Sequence, residues 1–150
     1  MKTSTKYHQG IFTPLNESKY KGTYPIIYRS SYELKFMRWC DSNPNIKKWG
    51  SESNIIPYYD SNQRKVRRYY VDNFIELLKE GKIHKYLIEI KPHCQTLPPI
   101  NKKYKRHSTL LYEQVMYVNN QEKWAAAKEW CKKNGYIFAV LTEKELDTLL

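Results

Sequence analysis

Residues 65–92, KVRRYYVDNFIELLKEGKIHKYLIEIKP, contain two apolar stretches separated by a turn that includes a glycine. The pattern predicts a strand over 66–75, a turn at Glu80-Gly81-Lys82 and a returning strand over 83–91. An antiparallel pair of this kind lays the end of the second strand beside the first. This hairpin is predicted to form the centre of the sheet.

Two acids and a lysine lie on the predicted hairpin. Asp72 ends the first apolar run, and Glu89 and Lys91 end the second. Because side chains alternate along a strand, Glu89 and Lys91 leave on one face, whereas Ile88 and Ile90 enter the other. The hairpin therefore predicts an Asp…Glu-x-Lys constellation at one position of the sheet.

This constellation favours phosphodiester hydrolysis. Two neighbouring carboxylates repel each other, and a shared divalent cation such as Mg²⁺ or Mn²⁺ relieves the repulsion. Asp72 and Glu89 are the predicted ligands, and the main-chain carbonyl of Ile90 is a further one. The ammonium of Lys91 would orient the attacking water or offset charge in the transition state. The alternative is an ordinary exposed Glu/Lys pair, with Asp72 unrelated to it.

The composition indicates a polyanionic partner. The chain of 150 residues has 26 Lys and Arg against 15 Asp and Glu, a net charge of +11. Nucleic acid is the first candidate and an anionic membrane surface the second. We find no apolar run of membrane-spanning length, and the three cysteines are widely spaced. We therefore expect a soluble protein of a reducing cytoplasm, without a membrane partner.

A predicted helix over 30–43 carries a third acid. Ser30 is a good N-cap, Pro44 ends the helix, and Glu33 lies on the same face as the apolar Phe36. One interpretation is that Glu33 points at the predicted metal ion, directly or through water. The other is a capping box, in which Glu33 satisfies the amide of the N-cap residue.

Basic side chains near the hairpin and after it are the candidate DNA contacts. They precede the helix, begin the first strand of the hairpin, and are densest between residues 101 and 107. A glutamine shortly after the second strand is a candidate substrate contact. Solvated surface charges are the alternative. The candidates are Arg29, Arg64, Arg67, Arg68, Gln95, Lys102, Lys103, Lys105 and Arg106.

The two ends of the chain differ in pattern. Residues 1–25 have no sustained period and predict an extended basic arm that lies over the domain or over a partner, with a solvated or disordered tail as the alternative. Four lysines of the arm are candidate phosphate contacts. Residues 26–150 predict one domain. Residues 45–59 resemble an irregular strand. Residues 121–134 predict a helix that ends at Gly135, and residues 110–118 are either the start of the same long helix or a separate helical turn. Lys123 precedes the apolar stripe of this helix; an exposed lysine is the favoured interpretation, and a lysine that reaches the cleft is the alternative. Residues 136–141 predict a buried strand. The four lysines of the arm are Lys2, Lys6, Lys19 and Lys21.

The order helix, three strands, helix, strand, helix resembles the restriction-endonuclease-like fold of PD-(D/E)xK nucleases. This fold is an α/β (α+β) core with a mixed central sheet flanked by helices. More narrowly, four segments are similar to the head-completion nucleases of large contractile-tailed phages and, distantly, to endonuclease subunits that cut transposon ends. They are IIYRSSYELKFMRWCD (26–41), YYVD (69–72), YLIEIKP (86–92) and KWAAAKEWCKKNGYIFAVLTEKEL (123–146).

The resemblance implies a magnesium-dependent deoxyribonuclease that cuts packaged phage DNA during head completion and head-tail joining. Double-stranded DNA would be its substrate, portal or neck proteins its partners, and the host cytoplasm or phage head its location. Its acidic and lysine motif corresponds to Glu33, Asp72, Glu89 and Lys91, although Val71 replaces the proline of the superfamily name. A non-catalytic DNA-binding protein of the phage neck and a repair or transposition endonuclease are the alternatives. Endonucleolytic or exonucleolytic action and the oligomeric state stay open.

Overall fold

The computed structural model describes residues 9–148. Within these residues, short strands alternate with three α-helices, and two single turns of 3-10 helix lie at Glu17–Lys19 and His93–Thr96. The elements are β1 (Gly10–Phe12), β2 (Ile26–Tyr28), α1 (Ser31–Ser42), β3 (Ile46–Ser51), β4 (Ile55–Asp60), β5 (Lys65–Tyr70), β6 (Asn73–Lys79), β7 (Lys82–Ile90), α2 (His107–Asn134), β8 (Ile137–Leu141) and α3 (Glu143–Leu146).

A mixed four-stranded sheet is the centre of the fold. Its strand order is β3-β6-β7-β8, in which β7 pairs antiparallel with β6 and parallel with β8. The long α2 makes the crossover between the two parallel strands, as such a pair requires. The prediction of a mixed sheet flanked by helices is therefore confirmed.

The strand predicted over 66–75 is wrong, because the chain changes sheets in its middle. β5 pairs with β4 in a separate two-stranded ribbon, whereas β6 joins the central sheet. The predicted irregular strand over 45–59 likewise divides into β3 and β4. Asp72 therefore lies in the two-residue connection between β5 and β6 and does not end a strand.

The hairpin at the centre of the prediction consists of β6 and β7. Its turn places Glu80 and Gly81 at φ 54° and 77°, the left-handed conformation of a two-residue hairpin turn. The turn prediction is confirmed, except that Lys82 already pairs with Lys79. The predicted alternation of side chains along the second strand is confirmed too, because Ile88 and Ile90 both pack on the side of the sheet that α1 covers.

Three helix predictions have different outcomes. Ser30 caps α1 by accepting a hydrogen bond from the Glu33 amide, and Gly135 ends α2 at φ 75°, both as expected. The helix predicted over 121–134 begins at His107, so that residues 110–118 belong to the same continuous helix of 28 residues, which is one of the two alternatives for that segment. Within residues 9–148, none of the helices combines the length and apolar character needed to cross a membrane.

The segment predicted as an arm packs against the domain from residue 10 onward. β1 pairs with β2, and the rings of Phe12 and Tyr20 contact that of Trp49 edge to face. Lys19, a candidate phosphate contact, instead donates to the main-chain carbonyls of Asp41 and Asn43. Residues 1–8, including the candidates Lys2 and Lys6, lie outside the described residues.

Two apolar clusters lie on opposite faces of β7. Ile88 and Ile90 pack into the cluster beneath α1, and Leu87 packs into the cluster beneath α2. Because Glu89 alternates with Ile88 and Ile90, its side chain leaves on the α2 face. The carboxylate of Glu89 therefore faces α2 and the β4–β5 ribbon.

Candidate active site

Asp72 is fixed to the end of β7 by its side chain. Its Oδ2 accepts a hydrogen bond of 2.8 Å from the amide of Ile90, and its main-chain carbonyl accepts one of 2.9 Å from the Glu52 amide. The change of sheet at this residue therefore leaves the carboxylate beside the Glu-x-Lys segment. The structure brings Asp72 and Ile90 together as predicted.

Glu89 is 5% exposed, and each of its two carboxylate oxygens lies near a different group, a hydroxyl and an ammonium. Its Oε1 accepts a hydrogen bond of 2.6 Å from the hydroxyl of Tyr69, and its Oε2 lies 3.7 Å from Nζ of Lys91. Burial and the charge of Glu89 raise the pKa of Tyr69, so that the phenol remains a donor. Tyr69 thus fixes one carboxylate oxygen and leaves the other beside Lys91.

The pKa values of both carboxyl groups are raised. Burial raises the pKa of Asp72, and the negative charges of Glu89 and Glu33 raise it further. Burial also raises the pKa of Glu89, against the opposing effects of Lys91 and the Tyr69 hydrogen bond. The site therefore concentrates more negative charge than its lysines offset, which is the electrostatic environment that a cation stabilises.

Glu33 reaches the site from the first turn of α1. Its Oε1 accepts a hydrogen bond of 2.9 Å from the amide of Arg29, and its own amide donates to Ser30. Burial raises its pKa, and the charges of Glu52 and Glu89 contribute. Glu33 therefore caps α1, although one residue earlier than a capping box does, while it remains near the other acids.

A cavity of about 170 Å³ opens beside Glu33, between α1 and the end of β7. Glu33 and Lys91 line it together with Arg29 and Gln95, two of the candidate DNA contacts. Arg29 is exposed and forms an ion pair with Glu52. An anionic substrate that enters the cavity would meet a guanidinium, an amide and an ammonium group.

The donor set suits a hard divalent cation. Asp72 and Glu89 each use one oxygen in a protein hydrogen bond, to Ile90 and Tyr69, and oxygen donors are the ligands that Mg²⁺ and Mn²⁺ prefer. In residues 9–148, no three His, Cys, Asp or Glu side chains form a metal-binding group. Glu33 therefore does not complete a direct set with the other two acids.

The remaining candidate DNA contacts lie farther along the surface. Arg64, Arg67 and Arg68 are exposed on the β4–β5 ribbon, where Arg67 pairs with Asp60 at 3.1 Å. Lys105 donates to the carbonyl of Ile100 and to Glu113 and thereby stabilises its own segment. The exposed cations of that segment are Lys102, Lys103 and Arg106.

Two residues near the acids, Tyr69 and Glu52, have no predicted role in the sequence. For Lys123 the favoured prediction, an exposed helix lysine, is wrong, and the alternative that it turns toward the acids is nearer to the structure. Lys123 is half-buried, with Nζ 5.6 Å from the centroid of the Tyr69 ring. The sequence indicates this position of Lys123, because Lys123 directly precedes the apolar Trp124 and therefore lies at the border of the packed face of the helix.

Comparison with known proteins gives two matches. Residues 43–143 match the family described as TnsA-like endonuclease N terminal. The head completion nuclease of Enterobacteria phage T4 is 37% identical over 149 residues, which cover 95% of each chain. No solved structure matches the chain.

Proposed function

Because the chain belongs to the family of TnsA-like endonucleases, we propose that it is a deoxyribonuclease that acts on packaged phage DNA in head completion and head-tail joining. The observation that carries the proposal is the meeting of Asp72, Glu89 and Lys91 at one end of β7. Double-stranded DNA is the substrate, and portal or neck proteins are the partners. The protein acts in the host cytoplasm at the phage head.

Asp72 and Glu89 would hold the divalent cation, Mg²⁺ or Mn²⁺, with the main-chain carbonyl of Ile90 as a further ligand. When bound, the cation would supply Lewis-acid polarisation of the phosphodiester and would make the attacking water more acidic. Tyr69 keeps Glu89 in one orientation, and the Ile90 amide does the same for Asp72. The two ligands are thus held in place before substrate binds, which favours catalysis.

Lys91 and Glu33 act around this pair. The ammonium of Lys91, beside Oε2 of Glu89, orients the attacking water and offsets negative charge that develops on the phosphate. Glu33 contributes through water, because within residues 9–148 the three acids do not form a group that could hold one ion directly. Arg29 and Gln95, which line the same cavity, contact the DNA backbone next to the cleaved bond.

Plasmid cleavage tests the proposed function. Purified protein is incubated with supercoiled plasmid in Mg²⁺, in Mn²⁺ and in EDTA. We expect nicking or degradation in either metal and none in EDTA, because the carboxylates then have no cation to hold. Tight DNA binding without cleavage in either metal would favour the non-catalytic neck protein instead. Linear and circular substrates separate exonucleolytic from endonucleolytic action.

DNA affinity should depend steeply on salt. The basic residues of the ribbon, the cavity and the segment before α2 bind phosphates and release counterions. With about four phosphate contacts, affinity for duplex DNA falls roughly 100-fold between 50 and 200 mM salt. Fluorescence anisotropy in EDTA measures this, and thermal unfolding in the same buffers checks that the fold persists. A flat salt dependence would contradict the phosphate contacts.

A further inference from the structure

Lys123 is held close to the acids by aromatic rings. It precedes the buried Trp124 on α2, and its Nζ lies 5.6 Å from the centroid of Tyr69 and 6.0 Å from that of Tyr58. The hydroxyl of Tyr69 donates to Glu89. Two ring faces therefore position the ammonium group beside the Glu89 carboxylate rather than in open solvent.

The surroundings of Lys123 leave its charge incompletely compensated. Burial lowers its pKa; the charges of Lys91 and Arg67 also lower it, while Glu89 and Asp72 raise it. Among residues 9–148, Lys123 makes no salt bridge. A half-buried ammonium with two cationic neighbours and no carboxylate partner of its own creates a local site for an anion.

We propose that Lys123 binds a phosphate of the DNA strand that is cut, so that the ammonium groups of Lys91 and Lys123 contact the substrate together. This inference rests on the proposed nuclease function and adds a phosphate-binding residue to it. Arg67 lies near Lys123 and continues the positive surface onto the β4–β5 ribbon. The substrate strand thus passes from the acids over α2 toward the ribbon.

The position of Lys123 suits this role for a second reason. Asp72 and Glu89 carry negative charge that repels DNA, so a cation held beside them is needed to bring a phosphate near. Lys91 is close to Glu89 and partly neutralised by it, at 3.7 Å. Lys123 offers the three donors of an ammonium group without that pairing.

Lys123→Gln tests the proposal, with Lys128→Gln as matched control because Lys128 is exposed on the same helix. DNA affinity is measured in EDTA across a salt series, and cleavage of supercoiled plasmid is measured in Mg²⁺. We expect Lys123→Gln to cut roughly 10–100-fold more slowly and to reduce the slope of log affinity against log salt by about one. Lys128→Gln should change the cleavage rate less than twofold.

Lys123→Arg distinguishes phosphate binding from a packing role, because it keeps the charge. It should retain the salt slope of the wild-type protein, and the Tm of each variant reports whether the fold is intact. The proposal would be overturned if Lys123→Gln kept both the wild-type cleavage rate and the wild-type slope of log affinity against log salt. It would also be overturned if Lys123→Gln had a lower Tm but an unchanged slope, because Lys123 would then have only a packing role. Wild-type protein and Asp72→Asn separate the two levels. If the wild-type protein does not cut in either metal, the nuclease function fails. If the wild-type protein cuts, Asp72→Asn does not, and Lys123→Gln cuts at the wild-type rate, only the role of Lys123 fails.

Discussion

Lys91→Ala is expected to lower the rate of DNA cleavage about 10³-fold, the cost of removing a charged group that stabilises a transition state. Its Nζ lies 3.7 Å from Glu89 Oε2, and the side chain is only 25% exposed, so water cannot replace the ammonium group well. DNA affinity in EDTA should fall less than about tenfold, because one phosphate contact among several is lost. Single-turnover cleavage of a fluorescent duplex measures the effect.

The matched control for Lys91 lies on the same strand. Lys82 is exposed at the other end of β7, where its removal changes the net charge equally but leaves the acids untouched. Lys82→Ala should therefore cut DNA at nearly the wild-type rate. If Lys91→Ala retained most of the wild-type cleavage rate, Lys91 would have no catalytic role. If both variants lost activity equally, Lys91 would act only through the net charge of the protein.

The family and the fold class could be predicted from the sequence. The endonuclease family is confirmed, and with it the restriction-endonuclease-like core of helices around a mixed sheet. The association of Asp72 with the end of β7 could also be anticipated, because β6 and β7 form a hairpin whose turn and alternation are local properties. Sequence patterns predict such a pair well, because its two strands follow each other directly in the chain.

The surroundings of the acids could not be predicted in the same way. Tyr69 reaches Glu89 only because the chain changes sheets after β5, and nothing in the apolar run of 66–75 indicates that change. Lys123 is 34 residues beyond Glu89 and approaches it through the packing of α2 on β4. Such contacts depend on which faces of distant elements meet, which periodicity within one element does not determine.

The N-terminal segment illustrates the same limit. Its polar composition without a period predicts an arm over the domain or over a partner, but it does not predict the contacts of that arm. Three aromatic residues that are far apart in the chain, Phe12, Tyr20 and Trp49, pack together. Asp41 completes the attachment by accepting hydrogen bonds from the amides of Leu15 and Asn16. Single apolar residues in irregular segments produce no periodic signal, although they bury as much surface as residues of a regular strand.

Asp72→Asn is expected to abolish cleavage and, in EDTA at neutral pH, to make the protein more stable. Burial and the charges of Glu89 and Glu33 raise the pKa of Asp72 above its value in the unfolded chain. The folded state therefore holds the proton more tightly, and this stabilisation is lost as pH rises through the pKa of the folded state. Asparagine stays neutral and can still accept the hydrogen bond from the Ile90 amide.

The expected gain at neutral pH is on the order of 1 kcal/mol in the free energy of unfolding, or roughly 2–4 °C in Tm. This gain in stability should shrink as the pH falls from the pKa of folded Asp72 toward the pKa of an unfolded Asp. The wild-type carboxyl is then protonated and therefore neutral, like the asparagine side chain. Thermal unfolding in EDTA from acid to neutral pH measures this gain, and Asp147→Asn, at an exposed carboxylate, is the control.

Mg²⁺ should raise the Tm of the wild-type protein but not that of Asp72→Asn, because a ligand stabilises only a folded protein that binds it. A lower Tm for Asp72→Asn in EDTA, together with a wild-type Tm that ignores Mg²⁺, would mean that Asp72 is a structural residue. Stability gained where activity is lost is instead the behaviour expected of carboxylates held together for a cation.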